Sequence, residues 1–400
     1  MISVGIDVAK GNTVCILKPY GEIVSKPFDI SHVEKDLGEL AAMLLRFDDE
    51  VKVVMEATGI YHLPVLTYLQ EKGLFVAVIN PYLMKVYRSG DLRKAKTDKI
   101  DSRIIANYGM EHWFTMAEFK ASDDVYGELK MLGQQCRHYM KLHIMSLHEL
   151  THLLDYTMPG IKGMLASWNE GNRKDKLSDF VERFWHYDTI TCLSETEFIK
   201  QYTFWAKEKK YHQSQDKAQA IYALAREGIP TLSSETPSVK MLVTEAVRVL
   251  KEVDATLSII LSRMQELAKS LPEYSVVRGM GGVGEVLAPK LIAEIGDVRR
   301  FHSGKALIAY AGIDTPPYES GQFVGSNRKI TKRGSAALRK VGYETMRCIK
   351  THPRPDDPVY QYIVKKEAEG KAKKAAKIAG LNKFLRIYYA RVKEVYTDIK

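Results

Sequence analysis

The chain has 400 residues, 45% of them hydrophobic, and carries 59 Lys and Arg against 49 Asp and Glu, which gives a formal net charge of +10. This length predicts two or three domains, and the hydrophobic content excludes an intrinsically disordered chain. The basic excess favours a polyanionic partner, nucleic acid above all, although an ordinary basic protein can have the same balance.

The cysteines and the N-terminal segment predict a cytoplasmic protein. Cys15, Cys136, Cys192 and Cys348 are far apart and form no paired motif, as expected for free thiols in a reducing compartment. The opening MISVGIDVAKG is too short and interrupted for a signal peptide. The sequence contains no run of about 18 apolar residues, so we expect no membrane span.

The first 115 residues alternate between strand and helix patterns. Strands are predicted at 2–8, 13–17, 22–28, 51–55 and 75–79, and helices at 33–46, 63–72 and 98–108. Tight turns join the first three strands, which is typical of an antiparallel meander. Three strands followed by alternating helices and strands is the order of the ribonuclease-H-like fold, so we expect an α/β domain here.

The middle of the chain, 116–270, is predicted to be helical. Apolar residues recur at alternating spacings of four and three, at 125, 129, 132, 136 and 139 and again from 246 to 267. This period predicts a central antiparallel coiled coil, formed within the chain or across a dimer. A helical insertion lies between the two segments, and its pattern indicates no function.

Four acidic residues stand where that fold could bring them together. Asp7 ends the first predicted strand, Glu56 follows the fourth, and Asp98 and Asp101 share one helix face. Carboxylates this close repel one another unless a cation neutralises them, and oxygen ligands suit Mg²⁺ or Mn²⁺. Ordinary solvated acids at strand ends and helix starts are the alternative.

Basic residues surround this acidic set. Seven lie within one short stretch: Lys85, Arg88, Arg93, Lys94, Lys96, Lys99 and Arg103. A nuclease with an acidic metal site needs such positive flanks, because phosphate must approach the acids. The stretch, Lys96 and Arg103 in particular, is therefore predicted to contact nucleic acid.

A glycine cluster, GMGGVG at 279–284, opens the last segment, 271–400, which is predicted to be mostly helical. It matches GxGxxG, but the strand and the distant acid of a dinucleotide site are missing. We expect a helix-hairpin-helix motif, with a helix at 285–295, in which Gly281 and Gly284 let backbone N–H groups approach a DNA phosphate. A plain glycine-rich turn is the alternative.

A second motif favours a different chemistry and is rejected. His148-Glu149-Leu150-Thr151-His152 matches the HExxH pattern of zinc proteases. The motif has no convincing third ligand and falls inside a heptad helix, so it does not predict zinc.

The acidic motifs carry a family resemblance. GIDVAKG, MEATGIY and KTDKIDSRIIA closely resemble the DEDD-type insertion-sequence transposases and Piv-type DNA invertases (insertion-sequence family 110). In that family the matching acids bind the catalytic metal. The resemblance therefore implies a RuvC-like domain over 1–115 in which Asp7, Glu56, and one or both of Asp98 and Asp101 bind it.

The segment DTPPYESGQFVGSNRKITKRGSAALRK resembles the second conserved block of the same family, a serine before glycine followed by GxxRxIxKxG. In the family this serine is the recombination nucleophile, which implies that role for Ser320. Arg328, Lys332 and Arg333 could hold phosphate oxygens. On chemical grounds Tyr318 is a competing nucleophile, and Ser326 and Ser335 are weaker ones.

The sequence thus predicts a metal-dependent DNA transposase or recombinase that cleaves and rejoins DNA through a covalent phosphoserine. The coiled coil would build a dimer or tetramer in which one subunit's serine reaches another's metal site. The resemblance also implies a structured guide RNA and a bacterial or archaeal, nucleoid-associated protein. Two alternatives remain: a metal-only nuclease such as a junction resolvase, and a non-catalytic nucleic-acid-binding coiled-coil protein.

Overall fold

The computed structural model describes residues 1–9, 11–57, 61–88, 97–119, 124–165, 175–316, 319–320, 323–324 and 329–398. At 82, 124, 319–320, 323–324 and 398 only the backbone is described. The chain divides into two compact units, Met1–Ala121 and Ser122–Lys400. Within the described ranges no helix has the length and apolar character needed to cross a membrane.

The first unit is built on a five-stranded mixed sheet of order β3-β2-β1-β4-β5. The first three strands are antiparallel neighbours, whereas β1 and β4, and β4 and β5, run parallel. The antiparallel pairing of the first three strands confirms the predicted meander. The strands are β1 (Ile2–Val8), β2 (Asn12–Leu17), β3 (Ile23–Ile30), β4 (Val51–Glu56) and β5 (Phe75–Ile79).

The two faces of β1 contact different helices. Successive side chains of a strand point to opposite sides of the sheet. Ile2, Val4, Ile6 and Val8 are buried in the core shared with helices α1 and α2. Ser3, Gly5 and Asp7 point to the other face, which helix α4 covers. The helices of this unit are α1 (Glu34–Leu44), α2 (His62–Glu71), α3 (Pro81–Arg88) and α4 (Asp98–Glu111).

Helix α4 lies unusually close to the sheet because small residues line the contact. A Cβ atom at Gly5 would collide with the Ser102 carbonyl, and one at Gly109 would collide with Val54. The Ser3 hydroxyl donates to the Ala106 carbonyl at 2.7 Å, which fastens the helix to β1. This close approach holds the first turn of α4 over the ends of β1 and β4.

The sequence prediction missed one helix in this unit. Helix α3 begins at a proline, a favoured first helical residue, and is only eight residues long. It ends at Arg88, next to the acidic set. The other predicted helices and strands lie within a few residues of the observed ones.

Two long helices dominate the second unit. α5 (Asp124–Thr157) and α11 (Pro237–Lys269) run antiparallel, since Arg263 pairs with Glu128 at 3.0 Å and His143 contacts Asp254 at 2.6 Å. Leu129 and Leu257 of the heptad pattern are buried in this packing. A coiled coil shared across a dimer stays a prediction.

A small helical core joins the distal ends of α5 and α11. It is rich in aromatic rings, among them Phe180, Phe198, Tyr202 and Trp205, with neighbouring centroids 5.4–6.3 Å apart. Its helices are α6 (Ile161–Leu165), α7 (Lys176–Arg183), α8 (Asp188–Thr191), α9 (Glu195–Glu208) and α10 (Gln215–Glu227).

The C-terminal helices share one hydrophobic core with the proximal ends of α5 and α11. A two-stranded hairpin, β6 (Glu319–Ser320) and β7 (Phe323–Val324), lies between α14 and α15. The remaining helices are α12 (Tyr274–Arg278), α13 (Leu287–Ile295), α14 (Gly304–Ala311), α15 (Ala336–Thr351), α16 (Pro358–Ala368) and α17 (Lys373–Asp398).

Candidate active site

The parallel pairing of β1 and β4 places two acids side by side. Ile6 is in register with Met55, so Asp7 and Glu56 are the next positions along the two strands. Both point to the face that α4 covers, as Gly5 does, because residues two apart share a face. The C-terminal ends of parallel strands are where α/β sheets bind ligands.

Helix α4 contributes the other two acids. The Thr97 side chain caps the helix by accepting from the Ile100 amide at 3.3 Å, which fixes where the first turn begins. Asp101 is buried against the sheet, whereas Asp98, three residues earlier, is exposed. The predicted shared helix face therefore presents one inward and one outward carboxylate.

The other three acids lie close enough to Asp7 to influence its protonation. Burial, followed by the charges of Asp101 and Asp98, raises the pKa of Asp7 to about 6, with a smaller contribution from Glu56. Arg88 opposes this effect and lowers the pKa of Asp7. A carboxylate whose pKa is raised by burial and like charges is a frequent feature of functional sites.

Arg88 lies between two of these acids. Its guanidinium contacts a Glu56 carboxylate oxygen at 3.4 Å and an Asp101 carboxylate oxygen at 3.5 Å. The Arg88 side chain is 26% exposed, against 17% for Glu56 and 7% for Asp101. The sequence predicted a phosphate contact for Arg88, but the structure shows it bound to the acids.

The donor set fits a hard divalent cation, because the nearby groups are carboxylates that already hold one positive charge between them. Yet the described residues include no three Asp, Glu, His or Cys side chains arranged to hold a metal ion. The Arg88 guanidinium contacts both Glu56 and Asp101, where a metal ion shared by these two acids would bind. A metal ion bound by both acids requires Arg88 to leave this position.

The predicted nucleophile lies in the second unit. Ser320 ends β6 and is in register with Phe323 of β7, so it stands at the tip of the hairpin. Its side chain is outside the description, as are residues Tyr318 and Ser326. Ser335 has a structural role: it caps α15 by accepting from the Leu338 amide at 3.1 Å.

The predicted nucleic-acid contacts have different surroundings. Arg103, Lys332 and Arg333 are exposed, whereas Lys96 and Arg328 lie outside the described residues. A Cβ at Gly281 would collide with the Asp357 carboxylate, while Gly284 has open space around it. Close packing against Asp357 is therefore sufficient to explain a glycine at position 281. The phosphate contact of Gly281 stays a prediction.

The rejected zinc motif shows no metal arrangement either. His148 and His152 are exposed on α5, and the Tyr156 hydroxyl lies 3.1 Å from the His152 ring. The described residues around them offer no group of metal ligands.

Comparison with known proteins supports a common ancestry over most of the chain. An insertion element IS116 protein of Streptomyces clavuligerus is 22% identical over 373 residues, covering 92% of this chain and 89% of that protein. A pilin gene-inverting protein of Moraxella bovis is 31% identical over 121 residues, covering 30% of this chain but only 37% of that protein.

One solved structure is also similar over a short stretch. RuvC of T. thermophilus, in complex with a Holliday junction, matches 30% of this chain and 99% of its own, with 15% identity and a TM-score of 0.23. A score this low does not bear on the fold, which rests here on the strand order and register.

Two family models match the two ends of the chain. A DEDD-type transposase model of the IS110 group matches residues 4–159, which include all four acids of the candidate site. A second model, described as the transposase IS116/IS110/IS902 family, matches residues 274–361, which include Ser320. These matches confirm the resemblance that the motifs predicted. The chain therefore belongs to the IS116/IS110/IS902 family of transposases and is an enzyme of that class.

Proposed function

We propose that this transposase cleaves and rejoins DNA through a covalent phosphoserine at Ser320, with the acids of the first unit holding a divalent cation. The observation that carries the proposal is that the charges of Asp101, Asp98 and Glu56 all act on Asp7, while the Arg88 guanidinium contacts Glu56 and Asp101. Acids grouped in this way are stabilised by positive charge, and a phosphodiester needs its own negative charge offset before attack.

Each acid has a distinct part in this proposal. Asp7 and Glu56, fixed on neighbouring strands, would be the rigid ligands, and the buried Asp101 would complete the set from α4. Asp98 is exposed and would join as a fourth ligand. Mg²⁺ or Mn²⁺ bound there would polarise the non-bridging oxygens of the scissile phosphate and stabilise the leaving oxygen.

The covalent step uses the serine. Attack of Ser320 Oγ on phosphorus forms a phosphoserine ester and breaks the P–O3′ bond. The serine proton goes to solvent, and the leaving 3′ oxygen takes up a proton to become a free 3′-hydroxyl. A serine hydroxyl needs such activation of its target, because at neutral pH it is a weak nucleophile. Reversal with another 3′-hydroxyl restores the phosphodiester, so the DNA bond energy is conserved.

Two further elements belong to the proposal through the family alone. A structured RNA from the ends of the element would select the DNA, and a dimer or tetramer would bring a serine and an acidic site to the same phosphodiester. Treating the purified protein with ribonuclease before adding DNA tests the first, and light scattering of the full chain tests the second.

The decisive experiment traps the covalent intermediate. The native element, gene and flanking DNA together, is expressed from a plasmid so that any RNA it encodes is present. The protein is then recovered under denaturing conditions, and the DNA-linked residue is mapped by mass spectrometry. We expect the adduct on Ser320, its loss in Ser320→Ala, and its retention in Tyr318→Phe and Ser326→Ala.

Two outcomes would overturn the serine mechanism. An adduct on Tyr318 that survives Ser320→Ala would assign the nucleophile to the tyrosine. Strand cleavage that survives Ser320→Ala without any adduct would indicate a metal-only nuclease.

A further inference from the structure

A basic cleft of about 880 Å³ opens on the second unit, between the segment that follows the hairpin and one side of α17. Six of its lining side chains are cationic: Lys329, Lys332, Lys371, Lys374, Lys383 and Arg386. Among the described residues that line it, none is Asp or Glu. A cluster of like charges with no acid among its described lining residues favours binding of an anion from outside.

The α17 wall of the cleft is long and regular. Lys374, Ile378, Asn382 and Arg386 recur every four residues, so they form one stripe along the helix. At 1.5 Å per residue, the distance from Lys374 to Arg386 is about 18 Å. One strand of a duplex carries a phosphate about every 3.4 Å, so a stripe of this length suits a polymer rather than a single phosphate.

Near the middle of the α17 wall, the side chains that line the cleft are apolar and mostly small. Ala375, Ile378 and Ala379 separate the cations at its two ends. Short side chains leave room for a backbone to approach closely, while the flanking cations contact its charges. Lys383 is held in place by the Tyr362 ring, whose centroid lies 5.1 Å from its ammonium group.

The opposite wall, around Lys332, has a strained backbone that hydrogen bonds hold in place. Lys332 has φ 55°, a left-handed backbone angle that is unfavourable for a residue with a side chain. Its amide donates to the Gly312 carbonyl at 2.9 Å, and the Thr331 hydroxyl donates to Asp314 at 2.5 Å. Strained residues that their surroundings hold in this way are common at functional sites. The side chain of Lys332 nevertheless stays exposed to solvent.

We infer that this cleft binds the phosphodiester backbone of the DNA on which Ser320 acts, with Lys374 and Arg386 as contact residues at its two ends. The choice of DNA rests on the proposed function. It is favoured over RNA because Lys329 on the cleft wall follows Ser320 by only nine positions in the sequence.

The inference is tested by DNA binding rather than by catalysis. Fluorescence anisotropy of a labelled duplex of about 30 base pairs is followed against NaCl concentration, in EDTA and with the full-length Ser320→Ala protein. For Lys374→Ala/Arg386→Ala we expect the Kd at about 100 mM NaCl to rise roughly 10-fold. The log–log salt slope should fall by about two, one for each lost phosphate contact.

A second variant adds charge without removing any contact. Ala375→Glu places a carboxylate in the cleft, and Ala255→Glu is the matched control on an exposed position of α11. Ala375→Glu should weaken DNA binding by a similar factor, whereas Ala255→Glu should leave it unchanged. Thermal unfolding of each variant shows that it is folded.

Two results would overturn the inference. One is equal DNA affinity in Ala375→Glu and Ala255→Glu. The other is weakened binding of single-stranded RNA of the same length with duplex DNA binding unchanged. The DNA-binding assay uses neither the metal nor the serine. Failure to trap a phosphoserine would therefore disprove the proposed function but would leave the measured DNA affinities unchanged.

Discussion

The two units use charge in opposite ways. In the first, Glu56 of a strand and Asp101 of a helix contact one half-buried cation, Arg88, so part of their charge is neutralised within the protein. In the second, six cations line a cleft whose described walls have no acid. Under the two proposals, a metal ion would have to displace Arg88 from the acidic site, whereas an anion entering the basic cleft would meet no acid among its described lining residues.

The units also differ in how their sites are built. The acids are fixed by strand register and by a helix pressed against the sheet, and both depend on buried packing. The basic cleft consists mostly of exposed side chains on one helix and one anchored segment. Substitutions in the first unit should therefore have larger effects than those in the second.

Glu56→Gln should have the largest effect. The change keeps the side-chain volume but removes a charge that the proposed metal ion needs. We expect excision of the native element from a plasmid, counted by quantitative PCR, to fall at least about a thousandfold, since such a metal contributes several kcal/mol to catalysis. Asp48→Asn, an exposed acid of the same unit, should excise normally. Normal excision by Glu56→Gln would contradict the assignment.

Gly5→Ala tests the close packing of α4. The added Cβ would meet backbone atoms of Ser102 and Ala106, which cannot move aside as a flexible side chain can. We expect a loss of about 3 kcal/mol in the free energy of unfolding, the upper end for overpacking, measured by urea denaturation. Gly163→Ala in α6 has open space and should be neutral or slightly stabilising. Equal stabilities would mean that α4 is not held as described.

Asp7 should make stability depend on pH. Its pKa is raised by folding from 3.8 to about 6, so the folded state binds the proton more tightly. Below pH 3.8 the Asp7 carboxyl is protonated in both the folded and the unfolded state, so it does not lower the free energy of unfolding. Stability then falls as the pH rises towards 6, and the full penalty remains above it.

This penalty gives the smallest of the expected effects. Because Asp7 is only partly buried, we expect Asp7→Asn to gain about 2 kcal/mol over the parent at pH 7 but nothing at pH 3.5, in EDTA. Urea denaturation at the two pH values measures it. A difference between the two proteins that does not change with pH would show that Asp7 is not destabilised by its neighbours.

Much of the first unit could be predicted from sequence because its strands are short β-branched runs with clear turns. Gly5 interrupts such a run, and a glycine inside a buried strand is a signal of close backbone approach that the prediction did not use. Arg88 could not be assigned correctly, because the sequence does not show that an arginine 32 positions after Glu56 contacts it. Helix α3, which begins at Pro81, is too short for its apolar residues to show a clear helical period, so it was not predicted.

The second unit shows the same limit. The lysines of α17 are evident in the sequence as a basic helix, but the cleft exists only because Lys329 and Lys332 face them in the folded chain. Likewise, the sequence does not show that Gly281 packs against Asp357, which is distant in the chain. Local pattern predicts elements, whereas these contacts depend on tertiary packing.

The most direct test of the central claim is the binding of Mn²⁺ to the full-length protein, measured by isothermal titration. We expect the parent to bind Mn²⁺, Asp7→Asn to bind it at least about 10-fold more weakly, and Arg88→Met to bind it about 10-fold more tightly because the competing cation is gone. Lys85→Met, an exposed cation one turn earlier on α3, should bind as the parent does. Equal Mn²⁺ affinity in the parent and Asp7→Asn would contradict the claim that these acids form a metal site.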